Sequence, residues 1–347
     1  MSTLAKHIQL NLLFARFKVS SLFLLAVILA FVCIAAASIG SVNIPLSAIV
    51  TGALNDQQEA VLFSIRFPRV VLAAIVGAAL AVSGAALQGL FRNPLADPSL
   101  IGILSGAALA VAAVIVFAGP SQGYFGLYRL SIAAFTGGLV TSVLIFRFAR
   151  LAGTFSVTYM LLAGIAIGAI AEGGRGFIAY LSDDAQLRAL TFWAMGNLGD
   201  ALWPAVLVVM SITIPATVIL VRNARALNLL LLGENEARHL GVDAERLKYV
   251  IIICTALSVG AAVAVSGIIG FVGLVVPHLI RLTIGPDHRL LIPGSALLGA
   301  ILLIIADTFA RTVVSPAEMP VGIITSIIGG PFFLWLLIKQ YSGRFGI

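Results

Sequence analysis

The chain has 347 residues, of which 61% are hydrophobic and only 10% are charged. A soluble protein carries about 25% charged residues, so a water-soluble globular fold is excluded. The 21 Lys and Arg residues exceed the 14 Asp and Glu residues by a formal net charge of +7, yet no basic run or basic-aromatic stripe is present, which excludes nucleic-acid binding. A mean hydropathy of +1.12 identifies an integral membrane protein.

Stretches without charged residues locate the membrane crossings, because a charge at the bilayer centre costs at least about 2.5 kcal/mol. Such windows cover residues 19–55, 70–91, 98–128, 130–146, 151–171, 201–221, 249–280, 290–306 and 319–338. A helix needs about 20 apolar residues to span a bilayer, so most windows hold one crossing and a turn. Segments of alternating apolar and polar residues are absent, which excludes a membrane β-barrel.

Turn residues divide the longer windows. Asn43 and Pro45 are expected to end the first crossing, and the Gly-Pro-Ser stretch at 119–121 is expected to end the third. Window 249–280 is too long for one helix, and glycines after Ser266 divide it into a normal span and a short one over 271–282. The sequence therefore predicts an all-α integral membrane protein with ten transmembrane helices.

The distribution of Lys and Arg predicts the orientation. With the N-terminus in the cytoplasm and ten spans, the cytoplasmic segments hold all but six of these residues. The six exceptions are Arg66, Arg69, Arg129, Arg175, Arg188 and Arg311. This asymmetry favours N-in, C-in topology. Three alanines at 35–37 resemble a signal-peptidase site, but the apolar run is of full spanning length, which favours an uncleaved first span.

One polar segment of appreciable length, residues 222–248, lies on the cytoplasmic side of this topology. Helical spacing of Ala237 and Leu240 predicts a short amphipathic helix that ends at Gly241 as its C-cap. The helix could lie on the bilayer surface or dock into a groove of a soluble partner. Its mixed charges, in place of a Lys-rich face, favour docking.

Motifs for nucleotide binding and for zinc-dependent hydrolysis are missing from the sequence. No Gly-Lys dipeptide is present for a P-loop, and no His-Glu-x-x-His motif occurs. An ion-coupled carrier would have only Glu172, Arg175 and Asp307 as ionisable groups within its spans. We therefore expect a path without catalytic or metal-binding residues, driven by another subunit that acts through residues 222–248.

Several motifs in order along the chain resemble the FecCD-type permeases, the membrane subunits of ABC importers for iron-siderophore complexes, haem and cobalamin. The resemblance covers the chain from about residue 60 onward. The matching motifs are Arg66-Phe67-Pro68-Arg69, Gly77-x6-Gly84-x3-Gln88, Asn93-Pro94-Leu95-Ala96-Asp97-Pro98, Gly233-Glu234-x-x-Ala237-x-x-Leu240-Gly241, the segment from Gly270 to Arg281, Asp287-His288-Arg289, Ala306-Asp307-x3-Arg311, Glu318-Met319-Pro320-Val321-Gly322 and Gly329-x-Pro331.

This resemblance implies one transmembrane permease domain over residues 1–347, in which residues 222–248 form a cytoplasmic coupling segment. It implies a homodimer in the inner membrane of a bacterium, two ATPase subunits that bind ATP, and a periplasmic binding protein. The resemblance assigns docking of that protein to Arg66, Arg69 and Arg311. These residues could instead be anchors whose side chains snorkel to lipid headgroups. Coupling to the ATPase falls to Gly233, Glu234, Ala237, Arg238, Leu240 and Gly241.

The resemblance also places the translocation path along the fifth span. Ser156, Thr158 and Tyr159 fall at the inner gate, and Gly164 and Gly168 either line the path or permit close helix packing. Glu172 and Arg175 either neutralise each other or leave Arg175 to attract a propionate of the substrate. The stretch from Leu187 to Trp193 is most similar to the haem branch, so haem is the expected substrate, and no permanently bound cofactor is expected. Ferric siderophores and cobalamin are the alternatives, and a secondary carrier or a scaffold subunit are distant ones.

Overall fold

The computed structural model describes residues 2–40, 42, 44–118, 123–150, 155–315 and 317–345, and this part of the chain contains helices and no strands. The α-helices are Ser2–Ser38 (α1), Leu46–Thr51 (α2), Asp56–Ala60 (α3), Phe67–Leu90 (α4), Ile103–Phe117 (α5), Gly123–Phe148 (α6), Val157–Tyr180 (α7), Asp184–Ala194 (α8), Trp203–Arg222 (α9), Ala224–Leu230 (α10), Glu234–His239 (α11), Ala244–Ser266 (α12), Val272–Thr283 (α13), His288–Val313 (α14) and Val321–Phe345 (α15). A π-helical turn, Val61–Arg66, leads into α4, and a 3-10 turn, Pro98–Ile101, leads into α5.

Seven helices of the described chain are long and apolar enough to cross a membrane, and three further apolar helices are shorter. The seven lie at Ser20–Ser38, Asp56–Leu90, Tyr128–Phe148, Val157–Tyr180, Trp203–Arg222, Ala244–Ser266 and His288–Val313, and the shorter three at Ile103–Phe117, Val272–Thr283 and Val321–Leu336. The predicted all-helical membrane architecture is confirmed. The count of ten crossings and the N-in, C-in orientation stay predictions. The expected turn residues Asn43 and 119–121 lie outside the described residues.

The predicted break in window 249–280 is confirmed. Helix α12 ends at Ser266, and Gly267 follows with a positive φ of +65°. A Cβ at Gly267 would overlap the carbonyl oxygen of Trp193. Because only glycine combines this backbone conformation with so close an approach, the chain turns here and begins the short helix α13 at Val272.

Helices α4 and α12 form the centre of the bundle, and α14 packs more extensively on α4 than any other helix does. The close approach of α4 and α14 depends on Gly77 and Gly299, since a Cβ on either glycine would overlap the backbone of the other helix. A Cβ at Gly84 would likewise overlap the carbonyl oxygen of Gly273 in α13. Small residues therefore fix the position of α4 against two neighbours.

The charged side chains divide between two ends of the bundle. We call the end at which α4 begins and α14 ends the Arg69 end, and its exposed carboxylates belong to Asp56, Glu59, Asp183, Asp184, Asp200 and Glu318. The opposite end, which holds residues 222–248, is called the Glu234 end. Its exposed cations, which outnumber the exposed carboxylates of Glu236 and Asp243 there, are Arg92, Arg147, Arg150, Arg222, Arg225, Arg238, Arg246, Arg289 and Lys339.

Candidate functional site

Arg69 is the centre of an ion-pair cluster at the Arg69 end. It lies in the first turn of α4, and its Nη2 is 2.9 Å from Oδ1 of Asp307 in α14. Its Nη1 is 2.9 Å from Oε2 of Glu318, in the turn that precedes α15. The side chains of Arg69 and Asp307 are 7% and 3% exposed, so this pair is desolvated and depends on good geometry.

Arg66 and Arg311 are hydrogen-bonded to the C-terminal end of α1. Nη1 of Arg66 donates to the carbonyl oxygens of Ala37 and Ser38, both at 2.9 Å. Nη2 of Arg311 donates to the carbonyl oxygen of Ala36. The last carbonyls of a helix have no partner within the helix and carry partial negative charge, so two guanidinium groups at this place stabilise the helix end.

The predicted docking arginines are therefore engaged within the chain. The side chains of Arg66, Arg69 and Arg311 are buried, and each donates hydrogen bonds to groups of the same chain. The alternative of lipid-facing anchors is wrong, because a snorkelling side chain ends in the headgroup region and these end inside the protein. The docking role stays a prediction. Among the partners of Arg69, Glu318 is the accessible one, with a side chain that is 49% exposed.

A groove of about 510 Å³ follows α7 and contains four of the predicted path residues. Glu172 and Arg175 lie in its wall, and Nε of Arg175 donates to Oε1 and Oε2 of Glu172 at 3.0 and 2.9 Å. The two charges neutralise each other, as one of the two interpretations of this pair predicted. The side chain of Arg175 remains 32% exposed, and its Nη1 has no hydrogen bond within the described chain.

Gly164 and Gly168 also line this groove. Close packing does not explain Gly168, because a Cβ there would be 3.5 Å from Oγ of Ser105, an ordinary van der Waals contact. The groove contains further residues that sequence reasoning missed, from the 3-10 turn, α5, α8 and the turn before α13: Ser99, Leu104, Ser105, Ala108, Ala194 and Ile268. No motif marks them, and only the folded chain brings them beside α7.

The predicted gate residues lie at the beginning of α7, at the Glu234 end. Ser156 is the N-cap, and its Oγ accepts a hydrogen bond from the backbone N–H of Tyr159 at 3.4 Å. Thr158 is exposed and Tyr159 is 49% exposed. The gate residues thus lie at the beginning of α7 and the groove residues follow along its middle, from Gly164 to Arg175, although none of the three gate residues lines the groove.

The amphipathic helix predicted in the polar segment is confirmed as α11. Gly233 precedes it with φ of +129°, and Gly241 follows it with φ of +84°. The N–H of Gly241 donates to the carbonyl of Arg238 at 3.0 Å, and the N–H of Val242 donates to the carbonyl of Ala237 at 2.9 Å. This pair of bonds is the Schellman motif that a glycine at this position allows.

The two faces of this segment differ in exposure. Ala237 is fully buried, whereas Leu232 and Leu240 are 65% and 58% exposed, and Arg238 is also exposed. Glu234 is joined to Lys248 of α12, with 2.7 Å between Oε2 and Nζ. The segment therefore presents leucines and an arginine outward from a helix that is held to the bundle beneath it. Its coupling role stays a prediction.

A second polar connection attaches the segment to α14. Nδ2 of Asn228 in α10 donates to Oδ1 of Asp287 at 2.7 Å, and its Oδ1 accepts from the backbone N–H of His288 at 3.0 Å. Hydrogen bonds from the Arg289 side chain, and then from the Arg289 backbone and Asn228, lower the pKa of Asp287 to about 2. Asn228 was not predicted, since a lone asparagine in an apolar helix carries no signal in the sequence.

Together these features describe the membrane subunit of a transporter: apolar helices, a groove with one partly open guanidinium, and an amphipathic segment at the cation-rich end. The chain is similar to the hemin transport system permease protein HmuU of Yersinia pestis, with 49% identity over 93% of this chain and 96% of that protein. It is 42% identical to the cobalamin import system permease protein BtuC of Halobacterium salinarum, over 81% of this chain and 74% of that protein.

A solved structure of a metal-chelate type ABC transporter in an inward-facing conformation has the same fold. Its TM-score is 0.83 with 34% sequence identity, and the match covers 92% of this chain and 99% of that one. The model of the FecCD transport family matches residues 27–339. The chain therefore belongs to the FecCD transport family and is a permease of ABC importers.

Proposed function

We propose that two copies of this chain form the path of an ATP-driven haem importer. The ATPase subunits bind at the Glu234 end, and a periplasmic binding protein docks at the Arg69 end. The observation that carries the choice of haem is the 49% identity to a hemin permease over 93% of the chain. The chain itself supplies no ATP site, since the sequence lacks a P-loop.

The groove along α7 supports a dimer with a shared path. Helix α7 is mostly unpartnered in the single chain: Ile165 beside the groove is 68% exposed, and Ile170 and Phe177 on another face are 74% and 64% exposed. Because the groove is open along α7, a second copy placed against it would close the groove into a channel. Rocking of the two copies would then open the channel to one side of the membrane at a time.

The chemistry of the groove suits haem, which combines an apolar ring with two carboxylates. Apolar residues form most of its wall, and Nη1 of Arg175 remains available to a propionate while Glu172 occupies Nε. Guanidinium binds carboxylates with two parallel hydrogen bonds, so one propionate can engage without displacing Glu172. Because this contact is partly exposed to solvent, it would permit release.

The topology that we propose is ten crossings with both termini in the cytoplasm of a bacterial cell, across its inner membrane. Its support is the concentration of exposed cations at the Glu234 end, which the positive-inside rule assigns to the cytoplasm. The three shorter apolar helices, α5, α13 and the first part of α15, would complete the crossings beside the seven longer ones.

For docking we propose that a carboxylate of the binding protein reaches Arg69 by displacing Glu318. Arg66 and Arg311 would hold the end of α1 beside it and add positive potential. Charge complementarity between two docking surfaces chiefly raises the association rate, so this rate should fall as salt is added. The buried Asp307 would stay paired with Arg69 throughout.

The test is reconstitution of the permease with its ATPase in proteoliposomes, with the loaded binding protein on the outside. ATP-dependent accumulation of haem is the expected result, and collapse of proton and sodium gradients should leave it unchanged. Uptake without ATP that follows an ion gradient would replace the proposal by a secondary carrier, and ATPase binding without any uptake would indicate a scaffold subunit.

Cobalamin is the second candidate substrate, because cobalamin permeases match the chain at 39–42% identity over 81–83% of its length. Ferric siderophores are the third, given the fold shared with a metal-chelate type transporter. The same vesicles, each with a binding protein for one of the three substrates, decide among them.

A further inference from the structure

Lys248 is a buried cation at the second turn of α12, and its contacts extend in two directions. Its side chain is 4% exposed, and its Nζ is 2.7 Å from Oε2 of Glu234, the first residue of α11. Gly233, with φ of +129°, sets the direction in which the chain enters α11 and so places Glu234 over Lys248. Lys248 is therefore tied to the proposed coupling helix.

The second contact of Lys248 is aromatic. Its Nζ lies 5.4 Å from the ring centroid of Phe155, which is within the range of a cation–π interaction. Phe155 is 6% exposed, and its backbone leads directly into Ser156, the N-cap of α7. One ammonium group thus contacts both the coupling helix and the residue that precedes the predicted gate.

Phe155 is held in a small aromatic cluster that limits its movement relative to Lys248. Its ring is 5.8 Å from that of Phe146, which in turn is 5.0 Å from Tyr249, the neighbour of Lys248 in α12. The backbone N–H of Ser156 also donates to the carbonyl of Ala149 at 3.0 Å. A displacement of Lys248 would therefore move Phe155 and the beginning of α7 with it.

We infer that Lys248 is the positioning residue that transmits movement of α11 to the gate at the beginning of α7, through Glu234 on one side and Phe155 on the other. This inference rests on the proposed coupling role of α11 and the gate role of Ser156–Tyr159. The other polar tether of the segment, Asn228, leads to the start of α14 and not to α7. Loss of Lys248 should leave ATP hydrolysis intact but uncouple it from opening of the gate.

The experiment uses the full importer with Lys248→Met, which keeps the length of the side chain and removes its charge. Lys248→Arg is the conservative variant, and Phe155→Leu removes the ring alone. Lys339→Met is the matched control, because Lys339 also lies over an aromatic ring, Trp335 at 5.0 Å, but is far along the chain from α11 and α7. Haem uptake per ATP hydrolysed is measured, together with recovery of the ATPase in the purified complex.

We expect about a tenfold loss of uptake per ATP in Lys248→Met and Phe155→Leu, with Lys248→Arg and Lys339→Met near wild type. A second measurement is independent of the substrate: labelling of Tyr159→Cys, with Cys33 and Cys254 replaced by alanine, before and after the ATPase is trapped with ATP and vanadate. Labelling should change with ATP in the parent and not in Lys248→Met. If the Lys248→Met permease does not assemble with its ATPase, uptake per ATP and labelling in Phe155→Leu test the inference instead.

Three outcomes would overturn the inference. These are wild-type uptake per ATP in Lys248→Met, a retained ATP-dependent change at Tyr159→Cys in that variant, or parallel loss of ATPase recovery and uptake in every variant. Parallel loss of ATPase recovery and uptake would show that the contacts of Lys248 serve only the assembly of the complex. The Tyr159→Cys importer with Lys248 intact could show ATP-dependent labelling and yet transport no haem. That result would contradict haem as the substrate, and the role of Lys248 would then be judged from the labelling of Lys248→Met alone.

Discussion

Arg69 and Asp307 form a buried, bidentate ion pair between α4 and α14. Nε of Arg69 is 3.1 and 3.0 Å from the two carboxylate oxygens, and Nη2 is 2.9 Å from Oδ1. The pair joins the two most extensively packed helices at the end where α4 begins, while Gly77 and Gly299 bring the same helices together further along. Arg69 is thus first a structural residue, and any docking role must use its remaining contact with Glu318.

We predict that Asp307→Asn destabilises the protein by about 3 kcal/mol, because the change leaves a buried guanidinium without its main counter-charge. The double variant Arg69→Met, Asp307→Leu should be more stable than Asp307→Asn, since it removes both charges. Thermal unfolding of the detergent-purified permease, followed by loss of the monodisperse peak, gives the comparison. A double variant that is as unstable as Asp307→Asn would show that packing and not charge is responsible.

Glu318→Gln should strengthen binding of the loaded periplasmic protein several-fold. Glu318 is an internal competitor for Nη1 of Arg69, and an uncharged amide holds that group more weakly than a carboxylate does. Arg69→Gln should weaken binding. Affinity for the immobilised permease is measured at two salt concentrations.

The control for Glu318→Gln is Glu59→Gln, which removes the same charge from an exposed position at the same end. If both variants strengthen binding equally, general reduction of negative charge is the cause and competition for Arg69 is contradicted. If neither does, the binding protein does not use Arg69.

The titration of Asp287 gives a prediction about acid stability. Hydrogen bonds from Arg289 lower the pKa of this carboxylate to about 2, whereas an unfolded aspartate titrates near 3.9. A lowered pKa means that the stabilisation is fully present above about pH 4 and is lost as the pH falls towards 2. Asp287→Asn should therefore lower the unfolding temperature at pH 6 and approach wild type near pH 2. A difference that stays constant over this range would contradict the assignment.

Much of the fold could be predicted from where charges are absent. The break after Ser266 and the short helix α13 followed from glycines and window length, and the end of α11 followed from Gly241. These are local features, in which the residues that determine the backbone are neighbours in sequence. The burial of the arginines was not predictable in this way, because Asp307 lies 238 residues from Arg69 along the chain.

The candidate sites, too, could be predicted only where their residues are close in sequence. The resemblance to the family implied the four path residues on α7, but Ser99 and Ser105 reach the groove only because the 3-10 turn and α5 pack on α7. In the sequence Lys248 is only the last residue of the polar segment, and nothing in its sequence neighbourhood indicates the contact with Phe155. The residues that complete each candidate site are therefore brought together by contacts between helices, which the periodicity and charge pattern of the sequence do not reveal.

Arg175→Ala should lower haem uptake about tenfold or more, because a charge-assisted hydrogen bond contributes roughly 1.5–3 kcal/mol. Assembly and basal ATP hydrolysis should be unchanged, since the side chain is partly exposed and, among the described residues, its hydrogen bonds go to Glu172 alone. Arg188→Ala, at an exposed arginine outside the groove, is the matched control. Glu172→Gln should retain uptake, because it frees Arg175 from its intramolecular partner. Uptake that is unchanged in Arg175→Ala proteoliposomes would remove this residue from the substrate path and leave Glu172 and Arg175 as a self-neutralised pair.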